Sequence, residues 1–318
     1  MTDLVTFGET MLRLSPPGDE RLETADEYDV HVAGAESNVA TAAQRLGLDA
    51  TWFSKLPDSP VGRKVTSELR NHGVTPAVAW SESGRQGTYY LETADAPRGN
   101  SVIYDRENAA VTTATPEEFP LDRLRSAEGF HTTGITPALS DTLESTTATL
   151  LEIARESGTT TSFDVNYRSK LWSPETAAGT LRELFALVDV LVVAHRDAER
   201  VLDRTGDAES VARELAADHD FEVTIVTRGA EGALALADGD AYEQPTFEAT
   251  SAHPVGTGDA FVGGFLSQYL TGGTVREALA YGAATAALKR SIPGDIAVVT
   301  PAEVADLLEA GGRTGIDR

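Results

Sequence analysis

The spacing of apolar and polar positions changes character at about residue 112. Beyond it, short apolar runs read as buried strands: GFHTTG, TTSFDVN, VLVVA and VTIVTRG. Between and after them, apolar residues recur at helical spacing, which predicts helices over 139–157, 174–188, 196–203, 208–219, 259–270, 274–290 and 301–310. Strands alternating with helices predict a parallel sheet covered on both faces. Before residue 112 the strands LVTFGE and TWFSKL and helices over 36–46 and 60–71 belong to the same texture, with Gly47 and Gly73 as stops. Two stretches break it. In the first, Tyr28, Val30 and Val32 alternate with polar residues in a hairpin-like region; in the second, QGTYYLET and NSVIYDREN alternate and are joined by ADAPRG. Half-polar strands suit a sheet with one open face. The expected fold class is α/β: a doubly wound, mostly parallel sheet flanked by helices (1–9, 35–85 and 112–318), with a small discontinuous β lid (10–34 and 86–111).

A chain of 318 residues suits one large domain or two modest ones, and 41% hydrophobic residues support a full core. No apolar run approaches the roughly 18 residues of a membrane span, and the start MTDLVTFGE lacks the basic opening of a signal peptide. A soluble, cytoplasmic protein is expected. Cysteine is absent, so disulfides, thiolate metal sites and a Cys nucleophile are excluded. Charge alters the picture most. Lys plus Arg number 26 against 50 Asp plus Glu, a net −24, and only Lys55, Lys64, Lys170 and Lys289 are lysines. Such a surface repels nucleic acid and membranes, leaving small molecules as partners. The acids are spread along the whole chain, as in a protein adapted to a high-salt cytosol where screening tolerates self-repulsion; an ordinary acidic protein is the alternative.

In a doubly wound sheet, ligands bind at the carboxyl ends of the strands. Glu9, Gly134, Asp164 to Arg168, Ala194 to Asp197 and Thr227 to Gly229 stand there. No GxxxxGK[ST] occurs, and no GxGxxG follows the first strand. HRD at His195 to Asp197 is not a protein-kinase loop, because Leu202 stands where that loop needs Asn. The six histidines show no metal-ligand spacing. Three pieces remain. VAGAESNVATAAQRLG places Gly34 and Asn38 at a strand-to-helix junction among small residues. TRGAEGA places Thr227, Gly229 and Gly232 at a strand end, where a turn cradles phosphate through N–H groups. GTGDAF sets Gly256, Thr257, Gly258 and Asp259 at a helix N-terminus, a natural anion site. Each has a plainer reading as a turn or cap.

GAESNVATAAQRLG and GTGDAFVGGF, in this order, resemble the two signatures of the ribokinase-like carbohydrate kinases, and the resemblance runs from FGET to the last helix. It implies a ribokinase-like fold and ATP-dependent phosphorylation of a sugar hydroxyl, with Mg²⁺. Asp259 matches the family's catalytic base, and Gly256, Thr257 and Gly258 its anion hole. At a helix start the Asp259 carboxyl is expected to have a lowered pKa. Thr227, Gly229 and Gly232 would carry the ATP side, with Ala284 to Leu288 lining the adenine pocket or forming a plain buried helix face. The stretches SKLPDSPVG, DVNYRSKLW and ALKRSIPGD are similar to 2-keto-3-deoxygluconate kinases, which implies a sugar-acid substrate phosphorylated to 2-keto-3-deoxy-6-phosphogluconate. Arginine grips carboxylates in a bidentate fork, so Arg106 and Arg168 are the expected clamp; a surface salt bridge is the alternative for Arg106. Gly34, Asn38 and Asn166 would take hydroxyls. Tyr89 and Tyr104 would close over the sugar, or serve lid packing or a dimer contact. The open lid sheet suits at least a dimer. A neutral-sugar kinase of fructokinase or ribokinase type, and a nucleotide-binding protein without catalysis, are the alternatives.

The chain departs from the family pattern at three places. His253 stands where the family usually has an Asp that helps hold a monovalent cation, which puts that ion in doubt. Ala194 and Asp197 replace an Asn-x-x-Glu that organises Mg²⁺, leaving Asp197 or the phosphates to carry the metal. Pro57 stands where many members have Gly.

Overall fold

Apolar runs too short for helices pair into two sheets in the computed structural model, which describes residues 2–18, 20–94, 97–249 and 253–311. The strands are β1 (Leu4–Phe7), β2 (Met11–Ser15), β3 (Asp29–Ala33), β4 (Ala50–Pro57), β5 (Thr75–Ser81), β6 (Thr88–Glu92) and β7 (Ser101–Asp105). They continue with β8 (Gly129–Thr133), β9 (Thr160–Asp164), β10 (Val190–Ala194), β11 (Val223–Thr227), β12 (Ala233–Ala237) and β13 (Asp240–Gln244). Nine form one sheet in the order β13-β12-β11-β10-β9-β8-β1-β4-β5. It is parallel except for β12 and β13. Side chains such as Phe7, Trp52, Phe130 and Phe163 are wholly buried, as strands covered on both faces require.

The helices follow the apolar spacing to within three residues at each end: Ala35–Arg45, Pro60–Asn71, Asp141–Glu156, Pro174–Phe185, His195–Leu202, Ala208–Asp218, Thr257–Tyr269, Val275–Lys289 and Pro301–Glu309. Ser59, Ser140, Ser173, Asp207, Thr274 and Thr300 accept a backbone N–H at the starts of six of them. None of the helices among the described residues is long and apolar enough to cross a membrane.

Three elements lie outside the sequence pattern. A short helix, Leu121–Arg125, precedes β8. β5 carries Pro76 and is tolerated because it lies at the sheet edge. The β12–β13 hairpin turns on Asp238 and Gly239, at φ 51° and 82°. That is the Asp-Gly two-residue turn that matches strand twist.

The second sheet has four strands in the order β3-β2-β6-β7. Strands β2 and β3 are antiparallel, as the alternation around Val30 and Val32 predicts. Positions 95 and 96 of the ADAPRG joint lie outside the described residues, as do 312–318. One face of this sheet, with Met11, Tyr89, Leu91, Val102 and Tyr104, looks onto a cavity. Its other face carries Val30 and Ile103, which are exposed.

Candidate active site

Strand order reverses between β1 and β8, and there a doubly wound sheet leaves a crevice for ligands. A cavity of about 670 Å³ lies at that end, a size typical of small-molecule sites. Its floor takes residues from the ends of β1, β8, β9, β10 and β11: Glu9, Ile135, Asp164, Ala194 and Thr227. The small sheet roofs it.

Asp259 is the third residue of the helix Thr257–Tyr269, whose N-cap is Gly256. Gly256 takes φ +76°, and a Cβ there would lie 2.0 Å from the Asp295 carbonyl oxygen, so the turn needs glycine. Asn38, from the helix Ala35–Arg45, donates through Nδ2 to Asp259 Oδ2 at 2.7 Å. The two helices come this close because of Gly263, one turn beyond Asp259. A Cβ on Gly263 would be 2.5 Å from the Ala42 Cβ and 2.8 Å from the Val39 carbonyl oxygen. The small residues of both signatures thus set the distance between the Asp259 carboxyl and the Asn38 amide.

The expected lowering of the Asp259 pKa is corrected by the structure. Burial outweighs the Asn38 hydrogen bond and the field of Arg168 and raises the carboxyl to about 6. Asp259 keeps part of its surface open to the cavity. A base near 6 is ionised at neutral pH and takes a proton more readily than an ordinary aspartate.

Three further acids stand beneath or beside it. Burial, then the charge of Asp259, raises Asp164 to about 7. Burial raises Asp197 as well. Glu36 is raised to about 7 by burial although its Oε1 accepts from Thr133 Oγ1 at 2.7 Å, Thr136 Oγ1 at 2.8 Å and Thr133 N at 3.2 Å. The field of Arg168 opposes the rise at Asp259 and Asp164, and at Asp197 it adds to the larger effect of Arg196. The Arg168 guanidinium donates to the Tyr167 carbonyl at 3.3 Å and has no carboxylate partner among the described residues.

Arg106 differs from the expectation of a free clamp. It is paired with the buried Glu9 and lies 5.3 Å from the Tyr104 ring centroid. Burial raises the Glu9 carboxyl and Arg106 opposes the rise. One face of this pair is incomplete: Glu9 Oε1 and Arg106 Nε are buried without a partner. Tyr89 and Tyr104 stand side by side in the roof, ring centroids 5.7 Å apart. Sequence reasoning missed Arg13 and Asp295. Arg13 Nη1 lies 3.3 Å from Asp295 Oδ2, and the Tyr89 hydroxyl donates to Asp295 Oδ1 at 3.3 Å. Arg13 reads as one polar position of an alternating strand and Asp295 as a turn residue after Pro-Gly, so neither carried a signal.

Gly34 packs its backbone against the link between β1 and β2: a Cβ there would be 2.3 Å from the Glu9 carbonyl oxygen. Asn166 adopts φ +38° in the turn after β9, its N–H donating to Asp164 Oδ1 at 3.0 Å. Thr227 and Asp197 line the cavity from the ends of β11 and the helix His195–Leu202. Gly229 takes φ +61° in an exposed turn beyond it. Gly232 serves the β12–β13 hairpin, where a Cβ would meet the Gln244 carbonyl oxygen at 2.1 Å. The segment that the resemblance implied as an adenine wall lies apart from this cavity. Ala284 is wholly buried with Ala42 and Ala260, Leu288 packs on the same cluster, and neither lines the cavity. The plain buried helix face is what the structure holds there.

No group of three or more His, Cys, Asp or Glu suited to a metal ion occurs among the described residues. The cavity does hold two carboxylates near Arg168, on Asp164 and Asp197. A sparse carboxylate set fits Mg²⁺, which keeps several waters and rests mainly on substrate phosphates.

A glycine turn opening a helix, an acid three residues on and a roofed strand-end crevice suit the binding of a phosphoryl group beside a small hydroxyl compound. Residues 1–302 match the model of the pfkB family of carbohydrate kinases, and the chain belongs to that family of ATP-dependent phosphotransferases. It is 60% identical to a 2-dehydro-3-deoxygalactonokinase of Haloferax volcanii, over 99% of both chains. It is 31% identical to a 2-dehydro-3-deoxygluconokinase of Thermoproteus tenax, over 98% of this chain and 95% of that one. Among solved structures, the 2-dehydro-3-deoxygluconokinase of Thermotoga maritima superposes with a TM-score of 0.92 at 33% identity, covering 97% of this chain and all of that one.

Proposed function

We propose that this enzyme transfers the γ-phosphoryl group of ATP to the terminal hydroxyl of a 2-keto-3-deoxy sugar acid, the gluconate or its C4 epimer, the galactonate. The observation that carries the reading is Arg168, a cavity guanidinium with no carboxylate of its own to pair among the described residues. A neutral sugar would leave it unmatched; a substrate carboxylate completes it. The names of the relatives support the same substrate class, and the 60% identical one favours the galactonate.

In this reading Asp259, held by Asn38, accepts the proton of the C6 hydroxyl as that oxygen bonds to the γ-phosphorus and the bond to the ADP oxygen breaks. The N–H groups of Gly256, Thr257 and Gly258 face the charge on the transferred group. Arg168 and the amide of Asn166 orient the acid end, and Tyr89 and Tyr104 shield the sugar from water. Arg106 reaches the substrate only through its pair with Glu9, so its part is orientation rather than net charge. Mg²⁺, held by the phosphates with Asp197 and Asp164, would neutralise phosphate charge. The row Val30, Leu14, Tyr90 and Ile103 crosses all four strands on the outer face of the small sheet. It is the surface on which two copies would pair. The net −24 suits work in concentrated salt.

The test is ADP release from ATP and Mg²⁺ in concentrated KCl with 2-keto-3-deoxygluconate, 2-keto-3-deoxygalactonate, fructose and ribose. Turnover confined to the acids is expected, and Arg168→Ala should raise the acid's KM far more than that of ATP. Comparable turnover of fructose or ribose would overturn the substrate class and leave the kinase assignment standing.

A further inference from the structure

Lys289 is one of four lysines in the chain and the one whose burial is complete. It ends the helix Val275–Lys289, and its ammonium turns back to donate to the carbonyl oxygens of Ile292 and Gly294, each at 3.0 Å. Those carbonyls belong to the turn over 291–296, which joins three parts of the site. The Asp295 carbonyl is the surface against which Gly256 packs. The Asp295 side chain holds Arg13 and Tyr89 of the small sheet. Immediately before the turn, the Arg290 carbonyl at the helix end accepts the N–H of His253, at the entry to the glycine turn. Nothing in this turn forms a strand or helix ladder. Carbonyl oxygens aimed at one point call for a cation, and here the chain supplies its own. Burial lowers the Lys289 pKa to about 8, with Asp295 and Asp259 opposing and Arg13 assisting, so the ammonium stays charged at neutral pH.

We propose that Lys289 is a fixed internal cation, a positioning residue that orders the 291–296 turn against the anion-hole glycines, and that catalysis here needs no diffusible monovalent cation. The residues present do not fit such an ion: His253 offers no carboxylate, and two carbonyls are already taken by the ammonium. The inference rests on Gly256 to Asp259 being the phosphoryl-transfer site.

The test compares wild type in KCl, NaCl and tetramethylammonium chloride at equal ionic strength, reading turnover and melting temperature. Equal ionic strength gives equal screening, so both are expected to agree within about twofold and a few degrees. Activation by K⁺ of about tenfold over tetramethylammonium, with a K⁺-specific rise in melting temperature, would overturn the proposal. In Lys289→Met, kcat should fall about tenfold or more, the scale of one lost charged hydrogen bond. The KM of ATP should hold, and K⁺ or ammonium should restore part of kcat. A fall in kcat that no cation relieves would make Lys289 a packing residue only. If Lys289→Met does not fold, Lys289→Gln, which keeps donors without charge, takes its place, and the wild-type salt series decides in either case. Silence of the wild type on every sugar acid would sink the substrate reading alone, because the melting series still reports on the cation.

Discussion

Asn38→Leu removes the amide that donates to Asp259 Oδ2 at 2.7 Å while keeping the volume that excludes water. A hydrogen bond to a charged group is worth about 1.5–3 kcal/mol. One pKa unit corresponds to about 1.4 kcal/mol, so losing the bond raises the carboxyl by about one to two units. The direction follows because the amide stabilises the ionised form. Asp259 starts at about 6. At pH 7 it is therefore roughly nine-tenths ionised in wild type and between about half and a tenth ionised in the variant. The expected loss in kcat/KM at pH 7 is about two- to tenfold, and it closes as the pH rises beyond the new pKa. The assay is kcat/KM for the sugar acid from roughly pH 5 to 9.5, which reports free-enzyme ionisation. An acid limb that stays near 6 while kcat/KM drops equally at every pH would refute the reasoning. Asn38 would then bind substrate or hold the helix without tuning the base.

Asp259→Asn should fold with an unchanged melting temperature and lose turnover by about 10²–10⁴-fold, the range of a general base; residual activity near wild type would remove Asp259 from that role. Gly263→Ala should lower stability by about 1–3 kcal/mol through overpacking against Ala42 and Val39, and reduce kcat with it, as denaturant melts and steady-state kinetics would show. Glu36→Gln tests the buried acid. Glu36 is raised from 4.5 to about 7 in the folded protein, so the native state binds the proton more tightly and wild type loses stability as pH rises through that window. The glutamine variant should therefore gain on wild type between pH 4.5 and 7 and level off at roughly 3 kcal/mol above it. Denaturant unfolding at about pH 5 and pH 8 measures this, and a gap that shrinks with rising pH contradicts it.

Local physics settles much of this molecule. Periodicity places nine helices because an amphipathic stretch buries one stripe whatever it packs against, and Ser, Thr and Asp mark six of their starts. The Gly-Thr-Gly-Asp turn is legible because a left-handed Gly256 and an acid in the first helical turn are local requirements. The last hairpin escaped the pattern, because its strands of alternating Ala and Leu lack the β-branched residues that mark strands. Tertiary structure decided the rest. Whether Arg106 is free depends on Glu9, nearly a hundred positions away in the chain. Whether Asp259 is a weak or a strong base depends on how much protein surrounds it, and burial there overrides the helix end that sequence alone can see. Arg13, Asp295 and Lys289 became a connected unit only when β2, β6 and the 291–296 turn met. Such ion pairs are set by distance in space, which spacing along the chain does not encode.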